Sequence, residues 1–305
     1  MNPSWDDPSL AVASDSARRA RYRALQSRWR EVELGLPPGI DPRTGRPLGS
    51  LLPESAPADA QWLTPEIAAF VREQVPLIQA ENGTLEMVRL QRNLLSSQPL
   101  CFNLLGGLDT DHNAAARILT KLTGWDIVEI TSIRVEHAPA AAKARPGDRT
   151  AFDGFITYID TAGAPGFIGI ETKYTEPFSD RDYLTPAYEA ATADPEGWWK
   201  PGAADLARHR SLNQLWRNTL LAQLHEQNDA VAGIGRTLVI TAADDTTAGR
   251  AVAGISAVLD DPDQRLGHVE LEQIVELALG APRLAAWAAA FRRRYLDLDG
   301  TRLSN

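Results

Sequence analysis

A single cysteine, Cys101, occurs in the 305 residues. That excludes an internal disulfide framework and any zinc site built on four cysteines; in its apolar segment Cys101 is expected to be a buried small hydrophobe, not a nucleophile. No apolar run approaches the roughly 18 residues that a membrane span needs, so no membrane partner is expected. The opening MNPSWDDPSL has neither a basic start nor an apolar stretch, so no secretory signal is expected and a cytoplasmic location is the default. Basic residues are not in excess either. Lys and Arg number 31 against 40 Asp and Glu, a net charge of −9, which argues against a nucleic-acid coat protein but permits an enzyme with a local basic patch. There is no phosphate-binding G-x-x-x-x-G-K-[ST] loop and no G-x-S-x-G elbow, and Gly233 and Gly235 lack the third glycine of a dinucleotide fingerprint. His112, His137, His209, His225 and His268 show no H-E-x-x-H spacing and are expected to be structural or exposed.

What is present is an ordinary globular chain, 44% hydrophobic and 23% charged. Residues 15–33 place Leu25, Trp29 and Val32 at helical spacing among six arginines. This basic amphipathic helix either packs on the body with its arginines solvated or serves as a phosphate-contacting or partner-docking arm. Residues 36–60 are too rich in proline and glycine for a helix or a central strand and form a linker or strap. The expected division is 1–60 for the arginine-rich helix and linker, 61–299 for the folded domain and 300–305 for a tail. Helices are predicted over 65–79, 84–97 and 111–122, the last ended by Gly124. The period then shortens to give strands over 125–137, 152–159 and 167–174, the last two joined as an antiparallel hairpin. A long helix over 203–227, a strand over 237–241, a helix over 248–259 and a terminal helix over 282–296 follow, with 268–279 ambiguous between strand and helix. The order predicts an α/β fold with a mixed sheet covered by helices.

The hairpin carries the chemistry. Glu171 and Lys173, two apart on a strand, point to one face. Pairing Asp160 with Gly166 across the turn sets Asp153 opposite Lys173 and diagonal to Glu171. Two carboxylates brought together repel unless a cation lies between them, and hard oxygen ligands suit Mg²⁺, with Mn²⁺ as a substitute. Such an ion stabilises phosphoryl charge and activates water, and Lys173 could orient or deprotonate that water. An exposed E-x-K pair is the plain alternative, but the apolar run Ile168-Gly169-Ile170 before Glu171 speaks for a buried strand.

Asp153, a hairpin and Glu171-Thr172-Lys173 resemble the PD-(D/E)XK nuclease superfamily, and the segments TAFDGFITYID, GFIGIETKYTEPF, NLLSSQPLCFNL and NQLWRNTLLAQ resemble a bacterial branch of it. The resemblance covers about residues 84–241. It implies a restriction-endonuclease-like core of helix, three strands, helix and strand, with extra N- and C-terminal helices, and metal-dependent cleavage of DNA, RNA being the other possible substrate. Defence or mobile-element biology and a homodimer are implied by analogy. Phe152 stands where the superfamily's name has proline. By the same resemblance Asp153 and Glu171 would be metal ligands and Lys173 the catalytic lysine. An additional acid would be Glu136, with Glu86 and then Glu129 as alternatives, and Gln214 would lie near the site. Read without the resemblance, Glu136 is a strand-end surface residue and Gln214 an exposed helix residue, or a phosphate contact with Arg217. Ser96, Ser97, Gln98 and Asn103 are expected to cap a helix end or to lie beside substrate, and Trp198-Trp199-Lys200 to pack in the core or make a lid contact, with base stacking as the alternative. Asp153→Ala or Lys173→Ala is expected to abolish cleavage without unfolding the chain. The rival reading is a catalytically silent scaffold with the nuclease fold.

Overall fold

The structure is a computed structural model and describes residues 10–81, 85–138, 150–179, 185–207, 209–229 and 233–299; the opening decapeptide apart from Leu10, and the 300–305 tail, lie outside these. Helix α1 (Ala17–Arg28) ends in a π-helical turn (Trp29–Glu33), and a strap holds the two-residue strands β1 (Gly39–Ile40) and β2 (Pro47–Leu48). Helices α2 (Pro65–Ala80), α3 (Met87–Arg92), α4 (Ser97–Leu108) and α5 (His112–Thr123) follow. Then come β3 (Glu129–His137), β4 (Phe152–Ile159), β5 (Pro165–Lys173), α6 (Pro186–Thr192), α7 (Ala203–Ala207) and α8 (Arg210–Asn228). The chain closes with β6 (Ile234–Thr241), α9 (Thr246–Ser256), α10 (Pro262–Arg265), β7 (Leu266–Glu270), α11 (Leu271–Leu279) and α12 (Ala285–Tyr295). The five long strands form one mixed sheet in the order β3-β4-β5-β6-β7, antiparallel up to β5 and parallel beyond it. Helices, three antiparallel strands, α8 and a parallel β6 are the α/β layout expected from the sequence.

Local chemistry explains most boundaries. Asp111 caps α5 by accepting from Ala114 N at 3.0 Å, and Gly124 ends it in the left-handed region at φ 73°. The ambiguous segment is both things in turn: β7 passes into α11 through a reciprocal capping box between Glu270 and Gln273. Other expectations need correction. The helix predicted over 84–97 is only the short α3, because Asn93 leaves helical geometry and accepts from Leu95 N at 3.1 Å. The chain restarts at Ser96, which caps α4 by accepting from Gln98 N at 3.2 Å. Likewise the helix predicted over 203–227 is divided into α7 and α8.

The hairpin register also differs from expectation. Asp160 closes the turn itself, its Oδ1 accepting from Ala162 N and Ala164 N, with Gly163 at φ 77°. The tighter turn pairs Ile159 with Pro165 and Gly154 with Ile170, so the ladder runs toward Asp153 facing Glu171, not Lys173. A two-residue shift preserves the parity of the strand, so Glu171 and Lys173 keep their shared face.

Alternation along β5 supplies two cores. Ile168 and Ile170 join Ile156, Leu238 and the residues of α4, α5, α11 and α12 on one side; Phe167 joins Phe155, Val239, Leu215, Trp216 and Leu220 on the other. Trp198 and Trp199 are buried in the second core, which is the packing reading of that cluster. Helix α1 is packed as well: of its arginines only Arg21 is exposed, Arg18 reaches Asp244 at 2.8 Å and Arg23 reaches Asp15 at 2.5 Å. Phe152, at the position of the missing proline, is fully buried and stacks on Phe155 with centroids 5.7 Å apart. It also covers Gly169, where a methyl group would lie 2.2 Å from the Phe152 ring. Gly169→Ala is therefore expected to cost about 1–3 kcal/mol by overpacking; an unchanged urea midpoint would show that Phe152 can move aside.

Candidate active site

Strand β5 delivers Glu171 and Lys173 into a nearly closed setting, 2% and 8% exposed. Lys173 Nζ lies 2.6 Å from Glu171 Oε1, with Phe178 beneath the ammonium at 5.1 Å. Helix α8 crosses this face and presents Gln214 and Asn218, one turn apart. The Gln214 amide is used at both ends: Nε2 donates to Glu171 Oε1 at 2.6 Å, and Oε1 accepts from Lys173 Nζ at 3.2 Å and Ser179 N at 2.7 Å. Asn218 Nδ2 donates to Glu171 Oε2. The acid, the lysine and the two amides form a single hydrogen-bonded unit.

Asp153 enters from the start of β4. Its Oδ2 accepts from Thr172 N at 2.8 Å and Thr172 Oγ1 at 3.0 Å, which ties it to the rung between Glu171 and Lys173. Cys101 Sγ, buried in α4, donates to the Asp153 carbonyl at 3.3 Å. Glu136 comes from the end of β3 with φ 50°, the only non-glycine residue in the left-handed region among the described residues. The paired residues Val135 and His137 flank it, so the departure is confined to the acid. Its carboxylate accepts from Gln98 Nε2, at the start of α4, at 2.8 Å. Backbone strain confined to one acid beside two others is the kind of cost that folds retain at functional sites.

Electrostatics separate the groups. Burial, then the like charges of Glu171 and Glu136, hold the Asp153 carboxyl well above the usual carboxylate range. Burial pushes Glu136 up to about 7, opposed by the Gln98 hydrogen bond and reinforced by Glu171. For Lys173 burial works downward, but Glu171 and Asp153 outweigh it and its pKa is raised, which keeps the ammonium charged. The site is short of positive charge, and a hard cation would relieve this. Asp153 Oδ1 and Glu136 Oε2 accept no hydrogen bond from the described residues, whereas both oxygens of Glu171 are occupied. In chemistry the donor set fits a divalent ion; in geometry, no three His, Cys, Asp or Glu side chains among the described residues are gathered to enclose one.

The alternatives to Glu136 lie elsewhere. Glu129 begins β3, seven residues from Glu136 and about 23 Å away at strand rise. Glu86 is exposed at the start of α3. Arg217 faces Thr150 at 3.2 Å. His137 bonds Glu81 at 3.3 Å and packs on Phe155, and His112 and His268 bond neighbouring side chains. Asn103 binds within the core to Gln61 O and Tyr295 Oη. Sequence reading missed Asn218, although its spacing of four from Gln214 was a usable signal. It also missed Glu176, which accepts from Arg89 at 3.2 Å and Ser97 N at 3.1 Å and so docks the start of α4 beside β5.

A family model described as the PD-(D/E)XK nuclease superfamily matches residues 13–297. No curated protein and no solved structure matches the chain. With the match running from before α1 to beyond α12, and the acids and lysine of the pattern gathered on β4 and β5, the chain belongs to the PD-(D/E)XK nuclease superfamily.

Proposed function

We propose that the protein is a divalent-metal-dependent nuclease that hydrolyses phosphodiester bonds in DNA, with Mg²⁺ as its ion and Mn²⁺ as a substitute. The observation that supports this most is the buried unit of Glu171, Lys173, Gln214 and Asn218 beside Asp153, since charges this enclosed are retained at a cost that packing alone would avoid. Asp153 and Glu136 would hold the ion, with Glu171 completing the set. When bound, it would supply Lewis acidity at a phosphoryl oxygen and lower the pKa of a water. Lys173, kept charged by its acidic neighbours, would stabilise negative charge as it develops and orient the attacking water; a role as proton acceptor is not favoured. Gln214 acts as a positioning residue, fixing Lys173 against Glu171. The choice of DNA follows the superfamily's usual substrate, and a setting in defence or mobile-element biology follows by analogy with lone bacterial nucleases.

The experiment is incubation of the protein with supercoiled plasmid, linear duplex, single-stranded DNA and RNA, in Mg²⁺, Mn²⁺ or EDTA. DNA cleavage that needs the metal is the expected result; cleavage of RNA alone would move the substrate, and none at all would remove the reading. Gln214→Ala is expected to lower the rate about 10–100-fold, the usual effect of losing a group that orients a ligand; a wild-type rate would show that Lys173 needs no such clamp. One observation favours a second reading, that of a silent scaffold: Glu171 has both oxygens already satisfied by protein donors. Calorimetry with Mn²⁺ separates the two, since a scaffold would take up no ion at millimolar concentration.

A further inference from the structure

The segment 11–15 with Arg19 and Arg23, and the β1–β2 hairpin with Arg43 and Arg46, together line a groove of about 560 Å³. Its ionisable lining is four arginines against two aspartates, a local positive excess on a chain whose net charge is −9. The two aspartates offset only part of this charge, Asp41 through its attraction to Arg43. Asp15 is held by Arg19 at 3.1 Å and Arg23 at 2.5 Å. Asp41 spends its oxygens on its own turn, accepting from Arg43 N at 3.0 Å and Thr44 Oγ1 at 2.9 Å. The guanidinium groups of Arg43 and Arg46 are exposed and make no ion pair among the described residues. Asn93 and Leu95 also line the groove. Ser97 and Gln98, just beyond Ser96 in the chain, bond Glu176 and Glu136 beside the acids of the candidate site.

We propose that this groove holds the phosphodiester backbone of the nucleic acid outside the cleavage site, with Arg43 and Arg46 binding its phosphates. The inference rests on the nuclease reading for its ligand, but not for its charge. Guanidinium forks match phosphate oxygens, and pairings of this kind set register on the strand without reading its sequence. Both side chains project from a turn whose hydrogen bonds are made by backbone and Asp41, so their removal leaves the fold intact.

The test uses the full chain in EDTA, where nothing is cut, and reads binding of labelled duplex and single-stranded DNA by fluorescence anisotropy across a series of salt concentrations. Removing one arginine–phosphate pairing reduces the slope of log K against log salt by about 0.9 on duplex. Arg43→Ala with Arg46→Ala is therefore expected to reduce it by about 1.8 and to weaken low-salt binding about tenfold or more, while Arg43→Lys with Arg46→Lys keeps most of both. An unchanged slope overturns the proposal. So does binding of inorganic phosphate that the double variant loses while oligonucleotide binding stays the same, for the groove would then be a small-anion site. If the wild-type protein cuts no substrate but the variant still loses slope, the groove stands and the nuclease reading falls. If it cuts and the slope is indifferent to both arginines, the groove alone falls.

Discussion

Asp153→Asn is expected to give a folded protein whose DNA cleavage is reduced about a thousandfold or more. The asparagine keeps an oxygen to accept from Thr172 N and Oγ1, the two bonds that seat the native side chain. It removes a charge that the site disfavours, since burial and two neighbouring acids raise the Asp153 pKa. The sign follows: a carboxyl whose folded pKa is raised above the unfolded value lowers stability as soon as the pH rises past the unfolded pKa, because the unfolded chain then gives up a proton that the fold retains. Without metal, the variant should therefore unfold at or above the wild-type temperature at neutral pH. Lys173→Ala should behave differently. It leaves Glu171, 2% exposed, without its cation, and breaking a buried pair from one side costs about 3–5 kcal/mol. Both variants should be inactive, but the lysine variant should also be less stable, contrary to the expectation from sequence. Plasmid cleavage and thermal unfolding on the same preparations decide the matter; wild-type cleavage by either variant would sink the site assignment.

The second large effect is expected at Trp216. It is fully buried on α8 between Gln214 and Asn218, packs against Tyr188 at 5.6 Å and donates Nε1 to Thr192 Oγ1 at 3.0 Å. Trp216→Ala should cost about 3–5 kcal/mol through the cavity left behind. Trp216→Phe should cost less, keeping an aromatic ring and leaving only the hydroxyl of Thr192 without its donor. Helix α8 carries both amides of the candidate site, Gln214 and Asn218, on the turns around this residue, so on the proposed function loosening its seat should lower cleavage even where the protein remains folded. Urea unfolding checks the energy, and a loss below about 1 kcal/mol would mean that neighbouring side chains close the gap.

The legible parts of this protein are those where one chemical signal dominates. The alternation and apolar weight of β3, β4 and β5 were readable, as were Asp111 and Gly124 at the ends of α5 and the turn after Asp160. Helix α4 was not. Every residue from Pro99 to Leu108 is buried, so the segment has no polar stripe, and periodicity is silent when a helix is apolar all round. The register of the hairpin turned on a single side chain, because Asp160 bonds back to the turn and shortens it. Glu171 and Lys173 survived that error because an even shift preserves a strand's faces. The positive φ of Glu136 and the bond from Gln98 that accompanies it arise from tertiary packing, and no local pattern announces either.

Tyr174 follows Lys173 directly and is gripped by both ends of the described chain. Gln26 donates to its hydroxyl at 2.8 Å, Tyr22 meets its ring edge-on at 4.9 Å, and the hydroxyl itself donates to the Tyr295 carbonyl at 3.2 Å. Gln26 also reaches the Arg294 carbonyl, closing the ring of contacts. The strand that carries Glu171 and Lys173 is thus clamped from both sides of it in the sequence, and α12 is synthesised well after β5. While a nascent chain is still threading through the ribosome, the socket for Tyr174 lacks the wall supplied by α12, and Lys173 hangs next to an unfinished anchor. The order of translation itself would then leave the setting of Lys173 incomplete until α12 has emerged.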